Sequence, residues 1–299
     1  MKAQDLKARL RGVLAFTPTP FTPEDHIDVE GLARHVDFLV RSGVHAVVVC
    51  GGVGEFFSLD LDEHRTAVRT AVESVAGRVP VVAGIAHGSR VAGTLAQFAE
   101  SVGADGLMVN PLYFIEPSED GLVRHYQAIA AATSLGLIVY STKGAIATPA
   151  LMERLAAIDT VVALKDEVGD IRMFQETIDR LGGRMAWING MAETFAAPYC
   201  VAGAQAFTSG IVNFAPEVTL AVCGAALAGR WEELRDLVAR KVRPLASLRE
   251  RRRGYAIAVV KEAMNLLGMP GGTMRSPLVP LAAEDRDDLR AILEELRLR

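Results

Sequence analysis

Residues 161–166 read Val-Val-Ala-Leu-Lys-Asp, four apolar residues followed directly by a lysine and an aspartate. A short apolar run of this kind is typical of a strand buried on both faces. The lysine at its end, Lys165, either marks the exit of the strand into solvent or is a reactive amine. Ammonium groups are seldom fully buried without a partner, and a partly desolvated lysine can lose its proton and attack a carbonyl carbon.

Similar apolar runs recur along the chain and alternate with segments of helical spacing. Besides 161–165, seven runs predict strands, at 12–17, 45–50, 80–84, 105–109, 136–140, 185–189 and 204–209. Eight segments with helical patterns follow them, at 29–40, 61–75, 91–102, 119–132, 149–158, 171–181, 193–201 and 216–227. Because eight strand-plus-helix units in sequence close into a barrel, the chain is predicted to be a (β/α)8 or TIM barrel.

An open, doubly wound sheet is the alternative fold, but its usual nucleotide-binding motif is absent. The glycines at 51, 52 and 54 do not fit GxGxxG, since Phe57 stands at the third glycine position. We therefore predict a barrel domain over residues 1–229. The remaining residues 230–299 are predicted to form a helical extension packed on it, with helices at 231–248 (kinked near Pro244), 255–267 and 285–298.

Charge and composition exclude several classes of partner. The formal net charge of -4 is too small to favour nucleic acid or an anionic membrane. The cluster of arginines at 249 and 251–253 lacks interleaved aromatic residues and is interpreted as a solvated helix end or an interface element. No apolar stretch is long enough to span a membrane. Three widely spaced cysteines favour reduced thiols in the cytoplasm, and the histidines form no pair at metal spacing, so no metal or cofactor is predicted.

Two predicted strand ends carry groups that could act together. Working residues of such a barrel lie at the C-terminal ends of its strands, and there strand five ends in Tyr140 and strand six in Lys165. A phenol beside an amine can relay protons to and from a carbonyl adduct. Alone, Tyr140 could equally be a rim tyrosine that packs its ring. The pairing of the two residues favours a catalytic role for both.

Glycine-rich loops at other strand ends are the candidate substrate-binding segments. Gly51, Gly52, Val53 and Gly54 follow strand two, and their N–H groups could hold a carboxylate or phosphate. The alternative is a tight turn that binds nothing, and Glu55 would brace that loop. Gly190 follows strand seven, and 209–211 (Ser209, Gly210 and Ile211) follow strand eight, where many barrels hold phosphate. An anionic small-molecule substrate is therefore expected.

These segments together resemble the dihydrodipicolinate synthase / N-acetylneuraminate lyase family. The resemblance covers essentially the whole chain and is carried by four motifs: Thr17-Pro18-Thr19-Pro20-Phe21, Gly51 to Glu55, Val139-Tyr140 and Leu164-Lys165-Asp166. It implies a (β/α)8 barrel, a Schiff base between Lys165 and a 2-oxo acid, a catalytic role for Tyr140, and a homotetramer. No cofactor is implied.

Within that family, the chain is most similar to the 5-dehydro-4-deoxyglucarate dehydratases. The similarity rests on Gly54-Glu55-Phe56-Phe57-Ser58-Leu59, on Asn213-Phe214-Ala215-Pro216, and on Arg253-Gly254-Tyr255-Ala256 with Val260-Lys261. It implies that Lys165 attacks the C2 ketone and that loss of a C3 proton, of the C4 hydroxyl and of CO2 yields 2,5-dioxopentanoate. A pyruvate-dependent aldolase or synthase, and a non-catalytic 2-oxo acid-binding barrel, remain alternatives.

Two positions depart from the pattern of these relatives. Val53 stands where the family usually has a hydroxyl residue. After Tyr140 the subfamily usually continues Asn-Arg-Asp-Asn, whereas this chain reads Ser141-Thr142-Lys143-Gly144, so the arginine expected to bind the distal carboxylate is missing. Lys143 would replace it as a point charge without the bidentate fork.

Overall fold

The apolar runs form eight parallel strands that close into a barrel, as the sequence predicts. The computed structural model describes residues 1–111 and 115–297. The strands are β1 Gly12–Phe16, β2 Ala46–Val49, β3 Val81–Ile85, β4 Gly106–Val109, β5 Gly136–Ser141, β6 Val161–Asp166, β7 Ala186–Asn189 and β8 Ala206–Ser209. Each pairs with the next, and β8 pairs with β1 through the register Gly12↔Ala206. The prediction of a TIM barrel is confirmed.

One helix precedes β1, and the others follow the strands and cover the outside of the barrel. They are α1 Ala3–Arg9, α2 Val29–Arg41, α3 Leu61–Val75, α4 Ser89–Ser101, α5 Glu119–Ala130, α6 Pro149–Leu155, α7 Ile171–Leu181, α8 Ala196–Ala202 and α9 Pro216–Leu227. The predicted bounds of α3, α7 and α9 agree with the structure. For α8 the predicted start at residue 193 is a 3₁₀ turn, Glu193–Phe195, which precedes the α-helix.

Apolar side chains fill two layers, one inside the barrel and one between strands and helices. Alternate strand residues such as Val48, Ile138 and Ala163 meet inside the barrel, while their neighbours pack under the helices. This two-sided burial explains why the strands read as continuous apolar runs rather than as alternating patterns.

The N-terminal segment forms a helix that the sequence analysis did not predict. Most of its residues are charged or polar, but Leu6 within the helix and Leu10 at its C-cap are both fully buried. Leu6 Cδ2 lies where a Cβ on Gly106 or Gly136 would stand, 2.3 and 2.9 Å from those ideal positions. Since these glycines open β4 and β5, Leu6 closes the N-terminal end of the barrel.

The C-terminal extension consists of helices packed on the barrel, as predicted. They are α10 Trp231–Leu237, α11 Arg243–Glu250, α12 Tyr255–Leu266 and α13 Ala283–Glu295. A π-helical segment, Val238–Val242, joins α10 to α11 just before Pro244, which has no N–H to continue a regular ladder. The structure thus has an irregular helical segment next to the proline at which a kink is predicted. The predicted end of the last helix at residue 298 lies outside the described residues, and the domain boundary at residue 229 stays a prediction.

Candidate active site

Lys165 and Tyr140 lie side by side at the C-terminal rim, as their strand positions predict. They are register partners on β6 and β5, and Lys165 Nζ lies 3.3 Å from the centroid of the Tyr140 ring. The lysine side chain follows the interior residue Ala163 by two positions and therefore points into the barrel. Phe16 covers its other side, with the ring centroid 5.0 Å from Nζ. Lys165 is only 3% exposed, so the amine is enclosed by aromatic rings at the rim.

Glu167 joins the two groups, and the sequence analysis did not identify it. Its Oε2 accepts hydrogen bonds from Lys165 Nζ at 2.7 Å and from Tyr140 OH at 2.5 Å. It lies one position beyond β6, where strand alternation no longer specifies the direction of a side chain. The prediction stopped at Lys165, where the apolar pattern ends. The structure thus contains an amine, a phenol and a carboxylate in one hydrogen-bonded cluster.

Burial and charge act on the amine in opposite directions. Burial lowers the pKa of Lys165, while the carboxylates of Glu167 and Asp166 partly restore it. The direct contact is with Glu167, since Asp166 turns outward and accepts a hydrogen bond from Tyr199 OH on α8. Tyr199 OH also accepts from the backbone N–H of Gly169 at 3.2 Å. Asp166 therefore fixes the loop after β6, and Lys165 is left to act with Glu167.

The loop after β2 borders an open cavity beside Tyr140. Gly52 and Phe56 line a cavity of about 270 Å³ together with Asn110, Pro111, Tyr140, Thr142 and Gly144. Space is open around Gly52, with no heavy atom within 4 Å of an ideal Cβ. Val53 is half-buried and packs against the interior cluster to which Tyr140 also belongs. Gly51 and Gly54 are buried, and the carbonyl of Gly54 accepts a 2.7 Å hydrogen bond from Thr19 Oγ1.

Glu55 braces this loop through an ion pair with the extension, in line with the sequence interpretation. Its backbone is left-handed at φ 52°, and its side chain is fully buried. The carboxylate contacts Lys261 Nζ on α12 and accepts a hydrogen bond from Arg275 N at 3.3 Å. Burial lowers the pKa of Lys261 to about 8, against the opposing effect of Glu55. The extension thereby holds the loop after β2.

The loops after β7 and β8 are tightly packed at the rim. A Cβ on Gly190 would lie 2.6 Å from the carbonyl oxygen of Asp166, so only glycine fits that close approach. The Ser209 hydroxyl donates to Glu193, which also accepts from Thr219 Oγ1 at 2.8 Å. Ile211 begins a buried 3₁₀ turn, Ile211–Asn213. These residues shape the rim between β6 and β8, and the Ser209 side chain serves an internal network.

Lys143 does not line the cavity beside Tyr140, although residues on both sides of it do. It is exposed in the turn after β5, which an antiparallel bridge between Thr142 and Ala145 closes. Its neighbours Thr142 and Gly144 line the cavity beside Tyr140. The structure therefore places its charge near the cavity mouth, where water screens it.

Over residues 1–111 and 115–297, no group of three or more His, Cys, Asp or Glu side chains is arranged to hold a metal ion. Within the same ranges, none of the helices combines the length and apolarity that a membrane span requires.

Comparison with known proteins places this barrel in a family. Residues 9–296 match the model of the dihydrodipicolinate synthetase family. The chain belongs to this family. It is an enzyme of the lyase class, and the resemblance inferred from its motifs is confirmed.

Similar proteins carry two kinds of name. The chain is 36% identical over 300 residues to a probable 5-dehydro-4-deoxyglucarate dehydratase of Azotobacter vinelandii, covering 99% of each chain. A solved dihydrodipicolinate synthase from Oceanobacillus iheyensis is 30% identical, with a TM-score of 0.94 over 99% of this chain and 100% of that one. A chloride-inhibited dihydrodipicolinate synthase from Acinetobacter baumannii, solved in complex with pyruvate, is 28% identical, with a TM-score of 0.88 over 97% and 100% of the two chains.

Proposed function

We propose that Lys165 forms a Schiff base with the 2-oxo group of a sugar acid and that the enzyme converts 5-dehydro-4-deoxyglucarate into 2,5-dioxopentanoate. The observation that carries this proposal is the buried Lys165 amine within hydrogen-bond reach of Glu167, with Tyr140 OH on the same carboxylate oxygen. A lysine desolvated in this way is the kind of nucleophile that attacks carbonyl carbons.

Glu167 and Tyr140 supply the proton transfers that the reaction needs. Lys165 must be neutral to attack, and Glu167 is placed to accept its proton directly. The carbinolamine must then lose water, and the phenol of Tyr140 is placed to deliver a proton to the departing oxygen and recover one from Glu167. The resulting iminium withdraws electrons from C3, so that a C3 proton becomes acidic.

The remaining steps follow from the electron demand of the iminium. Removal of the C3 proton gives an enamine, which expels the C4 hydroxyl as water. The conjugated iminium then accepts the electron pair released when the carboxylate bonded to C5 leaves as CO2. Protonation of the dienamine, tautomerisation of the C5 enol to an aldehyde, and hydrolysis from Lys165 complete the turnover. One substrate thus yields 2,5-dioxopentanoate, one water and one CO2.

A synthase or aldolase reaction is the second candidate, favoured by the solved structures that share the fold. They are named dihydrodipicolinate synthase, and one of them holds pyruvate. The same lysine and enamine would serve that reaction. The higher identity to a probable dehydratase, 36% against 28–30%, supports the first candidate.

Borohydride trapping tests the Schiff base. The protein is incubated with pyruvate or 5-dehydro-4-deoxyglucarate, reduced and digested, and the added mass is located by mass spectrometry. We expect it on Lys165, with trapping and turnover abolished in Lys165→Ala. A folded wild-type protein that gains no mass at Lys165 with either acid refutes the proposal.

Product analysis separates the two reactions. Release of one CO2 per 5-dehydro-4-deoxyglucarate is expected for the dehydratase, whereas release of pyruvate from that substrate would establish an aldolase instead. The homotetramer and the cytoplasmic location that were inferred from the sequence remain predictions. Light scattering tests the first, and cell fractionation tests the second.

A further inference from the structure

Arg249, near the end of α11, lies against the loop after β8 rather than in solvent. A Cβ built on Gly210 would stand 3.3 Å from its Nη2 and 3.7 Å from its Cζ. The side chain is half-buried, and its Nε donates a 3.1 Å hydrogen bond to the carbonyl of Ala256 on α12. The glycine at position 210 therefore lets the guanidinium lie close against this loop.

The guanidinium has no carboxylate partner in the described part of the chain. No acidic oxygen there lies within 4.0 Å of it, and the bond to Ala256 uses one of its five N–H donors. The nearby Arg251 and Arg252, in contrast, both form ion pairs with Asp285 on α13. The sequence interpretation of a solvated helix end therefore fails for Arg249. A half-buried cation without an anion is costly unless a ligand supplies the anion.

The position of Arg249 relates it to the reacting amine. Three carboxylates act on its charge, those of Glu193, Glu250 and Glu167, and they raise its pKa against the lowering effect of burial. Glu193 follows β7 and Glu167 follows β6. Glu167 bonds Lys165 directly. Arg249 therefore lies within electrostatic range of the cluster at the rim, beside the loop after β8.

We propose that Arg249 binds the distal carboxylate of the substrate and makes the enzyme selective for 2-oxo acids that carry a second carboxylate. This inference rests on the proposed function, since it takes Lys165 as the site of the 2-oxo group. The planar guanidinium can hold a carboxylate through two parallel hydrogen bonds. It supplies the arginine that is missing after Tyr140, where Lys143 is exposed.

The chemistry of the reaction fixes which kinetic constant Arg249 controls. The carboxylate that it binds is the one that leaves as CO2, so negative charge departs from the guanidinium as the carbon–carbon bond breaks. An interaction that is strongest before this step favours binding rather than the decarboxylation transition state. Removal of Arg249 should therefore raise KM for the diacid more than it lowers kcat.

A pair of substrates and three variants test the assignment. The substrates are 5-dehydro-4-deoxyglucarate, a diacid, and pyruvate, which has no second carboxylate. The variants are Arg249→Gln, Arg249→Lys and, as a matched control, Arg243→Gln, which removes an exposed arginine from the same helix. Half-saturating concentrations for borohydride trapping at Lys165 are measured for both acids, and KM and kcat are measured for the diacid.

We expect Arg249→Gln to raise the half-saturating concentration of the diacid about 10- to 100-fold. Its trapping of pyruvate should match wild type, which also shows that the variant is folded. For Arg249→Lys, the half-saturating concentration of the diacid should lie between those of the wild type and Arg249→Gln. For Arg243→Gln it should equal that of the wild type. Equal effects of Arg249→Gln on both acids, or no effect on either, overturn the assignment. If Arg249→Gln does not fold, Arg249→Lys decides by the same comparison. Absence of trapping in the wild type would instead refute the Schiff base itself.

Discussion

At the scale of single residues, the site depends on one carboxylate oxygen of Glu167, which accepts hydrogen bonds from both the Lys165 amine and the Tyr140 phenol. The contact of 2.7 Å to Lys165 Nζ stabilises the charged amine, whereas burial stabilises the neutral one. The lysine side chain is thus buried at the rim of an apolar barrel while its amine stays in contact with a proton acceptor, Glu167.

Glu167→Gln should move the pH dependence of trapping in a direction that the charges determine. The Glu167 carboxylate raises the pKa of Lys165, so its loss lowers that pKa further and leaves the amine neutral at lower pH. The acidic limb of the trapping rate should shift to lower pH, while turnover falls about 100-fold or more, because the relay loses its carboxylate. Borohydride trapping across pH measures the shift, and CO2 release from 5-dehydro-4-deoxyglucarate measures turnover.

Glu176→Gln on α7 is the control for this prediction, since it removes an exposed carboxylate of the same charge. Its pH profile should overlay that of the wild type. A shift of the Glu167→Gln profile to higher pH, or an unchanged profile, would contradict the role given to Glu167.

The sequence predicts the pair Lys165 and Tyr140 because strand registers in a parallel barrel align the ends of neighbouring strands. Glu167, and Arg249 with the role proposed for it above, escape such reasoning. Glu167 lies beyond the apolar pattern of β6, in a loop whose path the pattern does not specify. Arg249 meets Gly210 only because α11 folds back over the rim, and its place in a run of arginines indicates a solvated surface instead.

At the scale of elements, one ion pair connects the loop after β2 to the extension. Glu55 and Lys261 are 0% and 1% exposed, and each also bonds the segment between α12 and α13, through Arg275 N and the carbonyl of Thr273. Pairing of buried charges compensates for their desolvation, whereas a single unpaired charge does not have this compensation. The loop and the extension therefore depend on each other for their positions.

Lys261→Met should destabilise the protein by about 3–5 kcal/mol, because it leaves Glu55 buried without its counter-ion. The double variant Glu55→Gln/Lys261→Met should recover most of that loss, since neither charge remains. Urea unfolding curves of the wild type, of each single variant (Lys261→Met and Glu55→Gln) and of the double variant measure these differences. A double variant as unstable as the sum of its two single variants would show that the two residues contribute independently.

Element types follow from the sequence more reliably than element ends. The helices α3, α7 and α9 begin and end where the apolar spacing predicts, helped by a capping aspartate before α3 and α7 and by a proline at the start of α9. The segment from residue 231 to residue 250 is harder to predict, because apolar spacing continues through its π-helical turn. Only the proline indicates the break.

At the scale of the whole molecule, the two ends of the barrel differ in what they contain. The C-terminal end carries Lys165 and Glu167, with the cavity beside Tyr140. The N-terminal end is closed by α1, whose Leu6 packs against glycines of β4 and β5. The apolar pattern of this segment is too short to predict the helix, since Leu6 is its fully buried residue and Leu10 follows at the C-cap. The candidate reactive residues and the residues that close the barrel thus lie at opposite ends of the barrel axis.

Leu6→Ala should therefore affect stability without affecting chemistry. The substitution leaves a cavity under the strands and should cost about 2–5 kcal/mol of unfolding free energy, while the trapping rate at Lys165 in the folded protein stays at the wild-type value. Val201→Ala, at a side chain 71% exposed on α8, should change the unfolding free energy by no more than about 0.5 kcal/mol. Urea unfolding and borohydride trapping on the same preparations give the two readouts. Slower trapping by folded Leu6→Ala would mean that packing at the N-terminal end affects the Lys165 amine at the C-terminal end. The two ends would then not be independent.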